Sequence, residues 1–121
     1  MNKQNIFYII LAVVIIVGFS LIFVLKKSKT NGQIVLFYGD GCPHCENVDA
    51  FVAENGIETK VPFVKKEVFN NQTNAAEMAD FAKQCGLATD SIGVPFLWDG
   101  RNCFTGDIDI INFFKGKTGL R

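Results

Sequence analysis

Residues 33–48 read QIVLFYGDGCPHCENV, and this stretch decides the fold of the chain. Residues 33–38 are rich in β-branched and aromatic side chains, which predicts a buried strand, and the two glycines in residues 39–41 predict the turn that ends it. After Cys42 the apolar residues recur at helical spacing, and Pro43 suits the first turn of a helix. A strand, a turn, a cysteine pair and a helix in this order are the expected setting of a redox CxxC motif.

The two cysteines of this motif, Cys42 and Cys45, can form a reversible dithiol/disulfide couple. Unpaired backbone N–H groups and the positive end of the helix dipole should lower the pKa of Cys42, which makes it the expected attacking sulfur. Cys45, one turn further on, is then the resolving thiol. His44 is the one histidine of the chain, and we expect it to favour the Cys42 thiolate as a second donor or a partial positive charge.

These residues resemble the active site of the thioredoxin superfamily, in a member close to glutaredoxins in size. The tetrapeptide CPHC is the one found in the bacterial periplasmic disulfide oxidases of that superfamily. A second matching element is Gly93-Val94-Pro95, which precedes the strand-like residues 96–98. In the superfamily this proline is cis and lies against the CxxC motif, and the residue before it offers backbone groups to an extended substrate. The resemblance implies these roles for Pro95 and Val94, and Gly93 beside them is a further candidate for substrate binding.

The rest of the pattern predicts an α/β fold with the order βαβαββα, which the resemblance makes a thioredoxin-like fold of glutaredoxin size. A central mixed four-stranded sheet would be flanked by helices. We expect a second strand over residues 63–69, a helix capped within residues 70–74, and a hairpin turn at Asp99-Gly100. The last helix should begin near residues 106–107 and pack three side chains on the sheet: Ile108, Ile111 and Phe114.

The N-terminal part of the chain predicts a membrane anchor. Residues 6–25 contain no charged side chain, and 20 apolar residues are about the number needed to cross a bilayer. The run ends in lysines at residues 26–29 and not in a small-x-small cleavage site, which favours an uncleaved single-pass transmembrane helix. The predicted organisation is a tail at 1–5, an anchor in the lipid bilayer at 6–25, a linker at 26–32 and a redox domain at 33–121.

The charges of the chain are distributed unevenly although they sum to zero. Four of the 12 basic residues lie in residues 1–29, which leaves eight against all 12 acidic residues in residues 31–121, a net charge of minus four there. No basic face accompanies aromatic residues, so we expect no nucleic-acid partner. The lysines after the span favour a cytoplasmic domain by the positive-inside rule. An oxidising CPHC motif favours an extracytoplasmic domain instead, and we expect that location.

The remaining cysteines, Cys85 and Cys103, allow three interpretations. Cys85 falls on the apolar face of a predicted helix and Cys103 in a predicted strand, which favours two separate buried thiols. A second disulfide between them is an alternative. Zinc held by all four cysteines is disfavoured because the second pair lacks the close spacing usual in such sites, and we predict no metal site.

Three functions are compatible with the sequence. The leading one is a membrane-tethered thiol–disulfide oxidoreductase that exchanges its Cys42–Cys45 disulfide with protein thiols and disulfides, and that is served by a membrane or soluble redox partner. The second is a glutaredoxin, because Val94, Gly106 and Asp107 stand where that resemblance places the glutathione site. Glutathione is thus a possible co-substrate, and no other cofactor is expected. The third is a non-enzymatic metal or iron–sulfur protein. The first strand offers no carboxylate to accept a thiol proton, so proton transfer is unassigned.

Overall fold

The computed structural model describes residues 1–25 and 32–121, which form two separate units. The first unit contains a single helix, α1 (Lys3–Leu25). The predicted linker lies outside the described residues except for Gly32. The second unit contains eight elements: β1 (Ile34–Tyr38), α2 (Pro43–Glu54), α3 (Ile57–Lys60), β2 (Phe63–Glu67), α4 (Gln72–Gln84), β3 (Phe96–Trp98), β4 (Cys103–Thr105) and α5 (Asp107–Thr118).

The four strands form one mixed sheet in the order β2-β1-β3-β4. The central strand β1 pairs in parallel with β2, with Leu36 opposite Lys65, and antiparallel with β3, with Leu36 opposite Leu97. The hairpin partner β4 pairs antiparallel with β3. Apart from the extra short helix α3, this is the predicted order βαβαββα. The predicted α/β, thioredoxin-like fold is therefore confirmed.

The alternation of side chains along β1 and β3 divides the core into two halves, one on each face of the sheet. Val35 and Phe37 face α4, and Leu36 faces the opposite layer. The α4 face is closed by three side chains of that helix: Met78, Phe81 and Ala82. The other face is closed by side chains of α2, α3 and α5: Val48, Val52, Ile57, Ile110 and Phe114. Helices on both faces leave β1 and β3 almost wholly buried, which explains their continuous apolar sequences.

Helix α4 begins and ends where its sequence dictates. The Asn71 side chain accepts a hydrogen bond from the Asn74 N–H at 3.0 Å, so Asn71 is the N-cap within the predicted 70–74 stretch. The helix ends at Cys85, and Gly86 takes a left-handed backbone with φ +72°, which glycine adopts without steric cost. These caps fix the ends of the helix that covers one face of the sheet.

Three details differ from the sequence prediction. Ile108 is 72% exposed, and Ile110 occupies the core in its place, because α5 begins at Asp107 and its second residue, Ile108, faces outward. The second strand ends at Glu67, and Phe69 lies beyond it with 61% of its surface exposed. Helix α3 was not predicted, since its four residues are too few to show a helical period.

The favoured interpretation of Cys85 and Cys103 as separate thiols is wrong, because the two form a disulfide with Cα atoms 6.2 Å apart. Cys85 caps the C-terminus of α4, and Cys103 begins β4. Both are partly buried against the α4 side of the core. The bond therefore ties the helix that covers one face to the edge strand of the sheet. Eighteen positions of sequence separate its ends, and nothing in the local pattern of either cysteine shows which one is its partner.

The N-terminal unit is an apolar helix whose side chains are exposed as far as Ser20. Helix α1 has 23 residues, about 34 Å at 1.5 Å per residue, which exceeds the ~30 Å hydrocarbon core of a bilayer. Its segment Lys3–Ser20 has a mean hydropathy of 1.8 and no side chain buried within the protein. An exposed apolar helix of this length fits a membrane anchor, and its place near the N-terminus also fits a signal sequence.

Candidate active site

The CxxC motif lies where β1 ends and α2 begins. The turn after β1 is closed by the Cys42 N–H, which donates to the Gly39 carbonyl at 3.2 Å. Cys42 is the N-cap of α2 with an extended backbone, and Pro43 occupies the first turn, where its missing N–H costs no hydrogen bond. The local sequence thus places the first sulfur at the end of a helix where backbone N–H groups lack intrahelical partners.

The two sulfurs of the motif are joined in a disulfide with Cα atoms 5.2 Å apart. Cys42 Sγ also accepts the Cys45 backbone N–H at 3.2 Å. The accessible surface is 9% for Cys42 and 3% for Cys45, so Cys42 is the more accessible of the two. A negative charge on Cys42 Sγ after reduction would be stabilised by the same N–H group and by the helix dipole.

The loop before β3 lies against this disulfide. Val94 O is 3.7 Å from Cys42 Sγ, a contact that becomes a possible hydrogen bond only when reduction gives the sulfur a proton. The Val94–Pro95 peptide bond is cis, as the resemblance implies, and Pro95 is fully buried. The Gly106 N–H donates to Pro95 O at 3.0 Å, which ties this loop to the start of α5. Gly93, two residues before Pro95, is exposed.

His44 contacts a carboxylate on α5. Its Nδ1 lies 3.0 Å from Asp107 Oδ2, and the same oxygen accepts a hydrogen bond from Asn47 Nδ2 at 2.7 Å. The His44 side chain is 70% exposed, whereas that of Asp107 is 18% exposed. The hydrogen bonds from Asn47 and His44 lower the pKa of Asp107 to about 2. Asp107 is thus ionised at any pH at which thiols exchange.

The structure therefore brings most of the predicted site residues together. Cys42, Cys45 and Val94 meet at the disulfide, and His44 and Asp107 meet beside it at the facing ends of α2 and α5. Gly106 donates a hydrogen bond to Pro95 O, and Gly93 lies in the same loop two residues before Pro95. The role of the two glycines in substrate binding stays a prediction. The expected effect of His44 on the Cys42 thiolate also stays a prediction, since the ring nitrogen Nδ1 faces Asp107.

Sequence reasoning missed Asn47 and Phe69. Asn47 follows His44 by three positions, so both lie on one face of α2, and this spacing was an available signal. The Phe69 ring rests on the Gly39 backbone: a Cβ at Gly39 would lie within 2.5 Å of three ring carbons. Phe69 comes to the motif from the loop after β2, a contact that only the folded sheet creates. Phe69 and Ile108 leave exposed apolar surface near the motif.

Neither a scan against protein-family models nor a search of curated proteins found a match to this chain. The class of the protein rests on its own fold and site. It is an α/β protein with a thioredoxin-like fold that carries a CxxC disulfide at a helix N-terminus. This arrangement suggests thiol–disulfide redox activity.

Proposed function

We propose that the chain is a membrane-tethered thiol–disulfide oxidoreductase that exchanges its Cys42–Cys45 disulfide with protein thiols. The observation that carries this proposal is the position of Cys42 Sγ, which caps α2 and accepts the Cys45 N–H at 3.2 Å. A Cys42 thiolate stabilised in this way is a good leaving group from a mixed disulfide, and its stability in the reduced form makes the Cys42–Cys45 disulfide a stronger oxidant.

The reaction has two exchange steps. A client thiolate attacks Cys42 Sγ, the Cys42–Cys45 bond breaks, and its electron pair passes to the Cys45 sulfur. A second client thiolate then attacks the client sulfur of the mixed disulfide and displaces Cys42 as a thiolate. The client loses two electrons and two protons, and the Cys42–Cys45 pair gains them. The greater exposure of Cys42 supports its role as the sulfur that is attacked.

Two features support a protein client over glutathione. Both hydrogen bonds to Asp107 Oδ2 come from α2, from His44 and Asn47, so the carboxylate that the glutaredoxin resemblance assigns to glutathione is already engaged. Exposed Phe69 and Ile108 offer apolar surface near the site, which suits an extended or partly folded polypeptide. The contact of Val94 O with Cys42 Sγ supports a role for the Val94 backbone in bonding such a segment.

The test of this proposal is to trap the mixed disulfide. Cys45→Ala should accumulate adducts with client proteins because no internal thiol can release them, and Cys42→Ala is the matched control. We expect a ladder of reducible adducts on a non-reducing gel for Cys45→Ala only. Equal trapping by both variants would reject the assigned roles. Adducts with glutathione alone would establish the glutaredoxin alternative, and iron–sulfur or metal absorption by the purified protein would establish the carrier alternative.

We further propose that α1 remains as the membrane anchor and that the domain lies on the oxidising, extracytoplasmic side. The length and apolar surface of α1 support the anchor, and the reactive disulfide supports the compartment. A membrane-impermeant thiol reagent should label the domain in intact cells after mild reduction. Labelling only after lysis would contradict this location, and a mature chain that lacks α1 would show that the helix is a signal sequence.

A further inference from the structure

The contact between His44 and Asp107 fixes which nitrogen of the imidazole carries the proton. Asp107 is ionised and can only accept hydrogen bonds. The atom that faces it, His44 Nδ1, must therefore be a donor in both the neutral and the charged ring. When the ring is neutral, Nε2 has no proton and is the basic nitrogen.

The Asp107 carboxylate is itself held in place. Asn47 Nδ2 donates to Oδ2 at 2.7 Å, and the Ile108 N–H donates to Oδ1 at 3.1 Å. Both oxygens thus have fixed partners at the facing ends of α2 and α5. Among the described residues, three other carboxylates of these two helix starts and the preceding loop form no ion pair with His44: Asp40, Glu46 and Asp109. Asp107 is thus the charged group that sets the orientation of the ring.

The rest of the imidazole faces solvent. The His44 side chain is 70% exposed although Nδ1 is engaged. His44 lies between the two cysteines in sequence, in the first turn of α2 and two residues after its N-cap Cys42. A basic Nε2 in this position meets the need for a proton acceptor that the apolar strand β1 does not supply.

We propose that Asp107 is a positioning residue that keeps the His44 proton on Nδ1 and so makes Nε2 the acceptor for the proton of a thiol entering at Cys42. This inference rests on the proposed function and adds the proton path to it. The entering thiol gives its proton to Nε2, and its sulfur attacks Cys42 Sγ as the thiolate. The Cys42–Cys45 bond breaks, its electron pair passes to Cys45, and the imidazolium later releases its proton to water.

The first test reads the tautomer directly. His44 is the single histidine of the chain, so ¹⁵N spectra of the imidazole in the full chain, in detergent micelles, report on this ring alone. With the ring neutral, we expect the proton on Nδ1 in the wild-type chain and a loss of that preference in Asp107→Ala. Asp109→Ala is the matched control, since it removes an exposed carboxylate from the same helix turn. A proton on Nε2 in the wild-type chain would overturn the inference.

The second test measures the rate at which dithiothreitol reduces the Cys42–Cys45 disulfide as a function of pH. Near neutral pH we expect the disulfide of Asp107→Ala to be reduced about tenfold more slowly than that of the wild-type chain. This effect is smaller than the 10²–10⁴-fold rate contribution typical of general acid–base catalysis, because the His44 ring is exposed to solvent. At high pH, where the reagent is already a thiolate, the two rates should converge. A deficit that persists at high pH, or an equal deficit in Asp109→Ala, would contradict the positioning role. If the wild-type Cys42–Cys45 disulfide is reduced no faster than a strain-free small-molecule disulfide, the proposed function is rejected. The imidazole spectra test the tautomer of His44 independently of that result.

Discussion

The two disulfides of this domain lie in contrasting environments. Cys42–Cys45 spans three positions of sequence at the N-terminus of α2, where a backbone N–H points at Cys42 Sγ. Cys85–Cys103 spans 18 positions and joins the C-terminal cap of α4 to the edge strand β4. The first has an N–H donor and the positive end of a helix dipole beside it, while the second has a carbonyl oxygen, Phe81 O, 3.4 Å from Cys103 Sγ.

On the proposed assignment, the backbone around the sulfurs, more than their burial, separates the reactive disulfide from the structural one. Cys42 and Cys45 are the more buried pair, and Cys85 and Cys103 are partly exposed. Exposure alone would therefore assign the reactive role to Cys85–Cys103 and the structural role to Cys42–Cys45. A thiolate at a helix N-terminus is stabilised, whereas one at a helix C-terminus lies near unpaired carbonyl groups and the negative end of the dipole.

The largest expected effect is on disulfide exchange. Cys42→Ser should reduce the rate of exchange with a cysteine-containing peptide to that of the uncatalysed reaction, because the N-cap sulfur is lost and Cys45, which is only 3% exposed, has no partner with which to form the disulfide. The double variant Cys85→Ala/Cys103→Ala should keep most of its activity. Quenched-flow exchange assays with the full chain in detergent micelles would measure both rates. Substantial exchange by Cys42→Ser would show that the second disulfide is reactive after all.

The next largest effect is on stability, to which the Cys85–Cys103 disulfide should contribute more than the Cys42–Cys45 disulfide. A cross-link that closes a loop of about 15 residues stabilises by ~3 kcal/mol in the chain-entropy description. Cys85→Ala/Cys103→Ala should therefore lower the free energy of unfolding by about 3 kcal/mol. The Cys42–Cys45 disulfide closes a much shorter loop, so the matched variant Cys42→Ala/Cys45→Ala should lose less of the free energy of unfolding. Urea unfolding of the domain, followed spectroscopically, compares the two variants. A larger loss of unfolding free energy in Cys42→Ala/Cys45→Ala would contradict the structural role assigned to Cys85–Cys103.

A smaller effect on stability should follow from adding a methyl group at Gly39. In Gly39→Ala the new methyl group would overlap the Phe69 ring, and the exposed ring can swing away, so we expect a loss of about 1 kcal/mol at the low end of overpacking costs. Phe69→Ala in the same chain should remove most of that loss because the two sites are in contact. Additive losses in the double variant would show that the ring does not rest on this backbone.

The fold was predictable because its signals are local. The apolar run of β1, the glycine turn and Pro43 define the first strand and helix without reference to the rest of the chain. The order of elements was therefore correct, whereas the position of Ile108 was not. Whether a helix starting at Asp107 turns residue 108 inward depends on how α5 packs against α2, and a short helical pattern does not determine this.

Within the site, the CxxC motif and the cis Val94–Pro95 bond were predictable, whereas the contact between His44 and Asp107 was not. Cys42, Pro43, His44 and Cys45 are contiguous, so one stretch of sequence suggests the redox couple. The partner of His44 is 63 positions away, and Asp107 reaches it because the sheet brings the starts of α2 and α5 together. The Cys85–Cys103 disulfide was an alternative and not the favoured interpretation for the same reason, since its ends meet through tertiary packing.

The most direct test of the account is a redox titration that follows the two disulfides separately, by differential alkylation and mass spectrometry of the full chain. Redox-active CxxC pairs have potentials between about −120 and about −270 mV, and structural disulfides lie below about −300 mV. We predict that Cys42–Cys45 is reduced first, within the former range, while Cys85–Cys103 stays oxidised until the potential falls below about −300 mV. Reduction of Cys85–Cys103 first, or of both pairs at one potential, would contradict the assignment of the reactive disulfide to the N-terminus of α2.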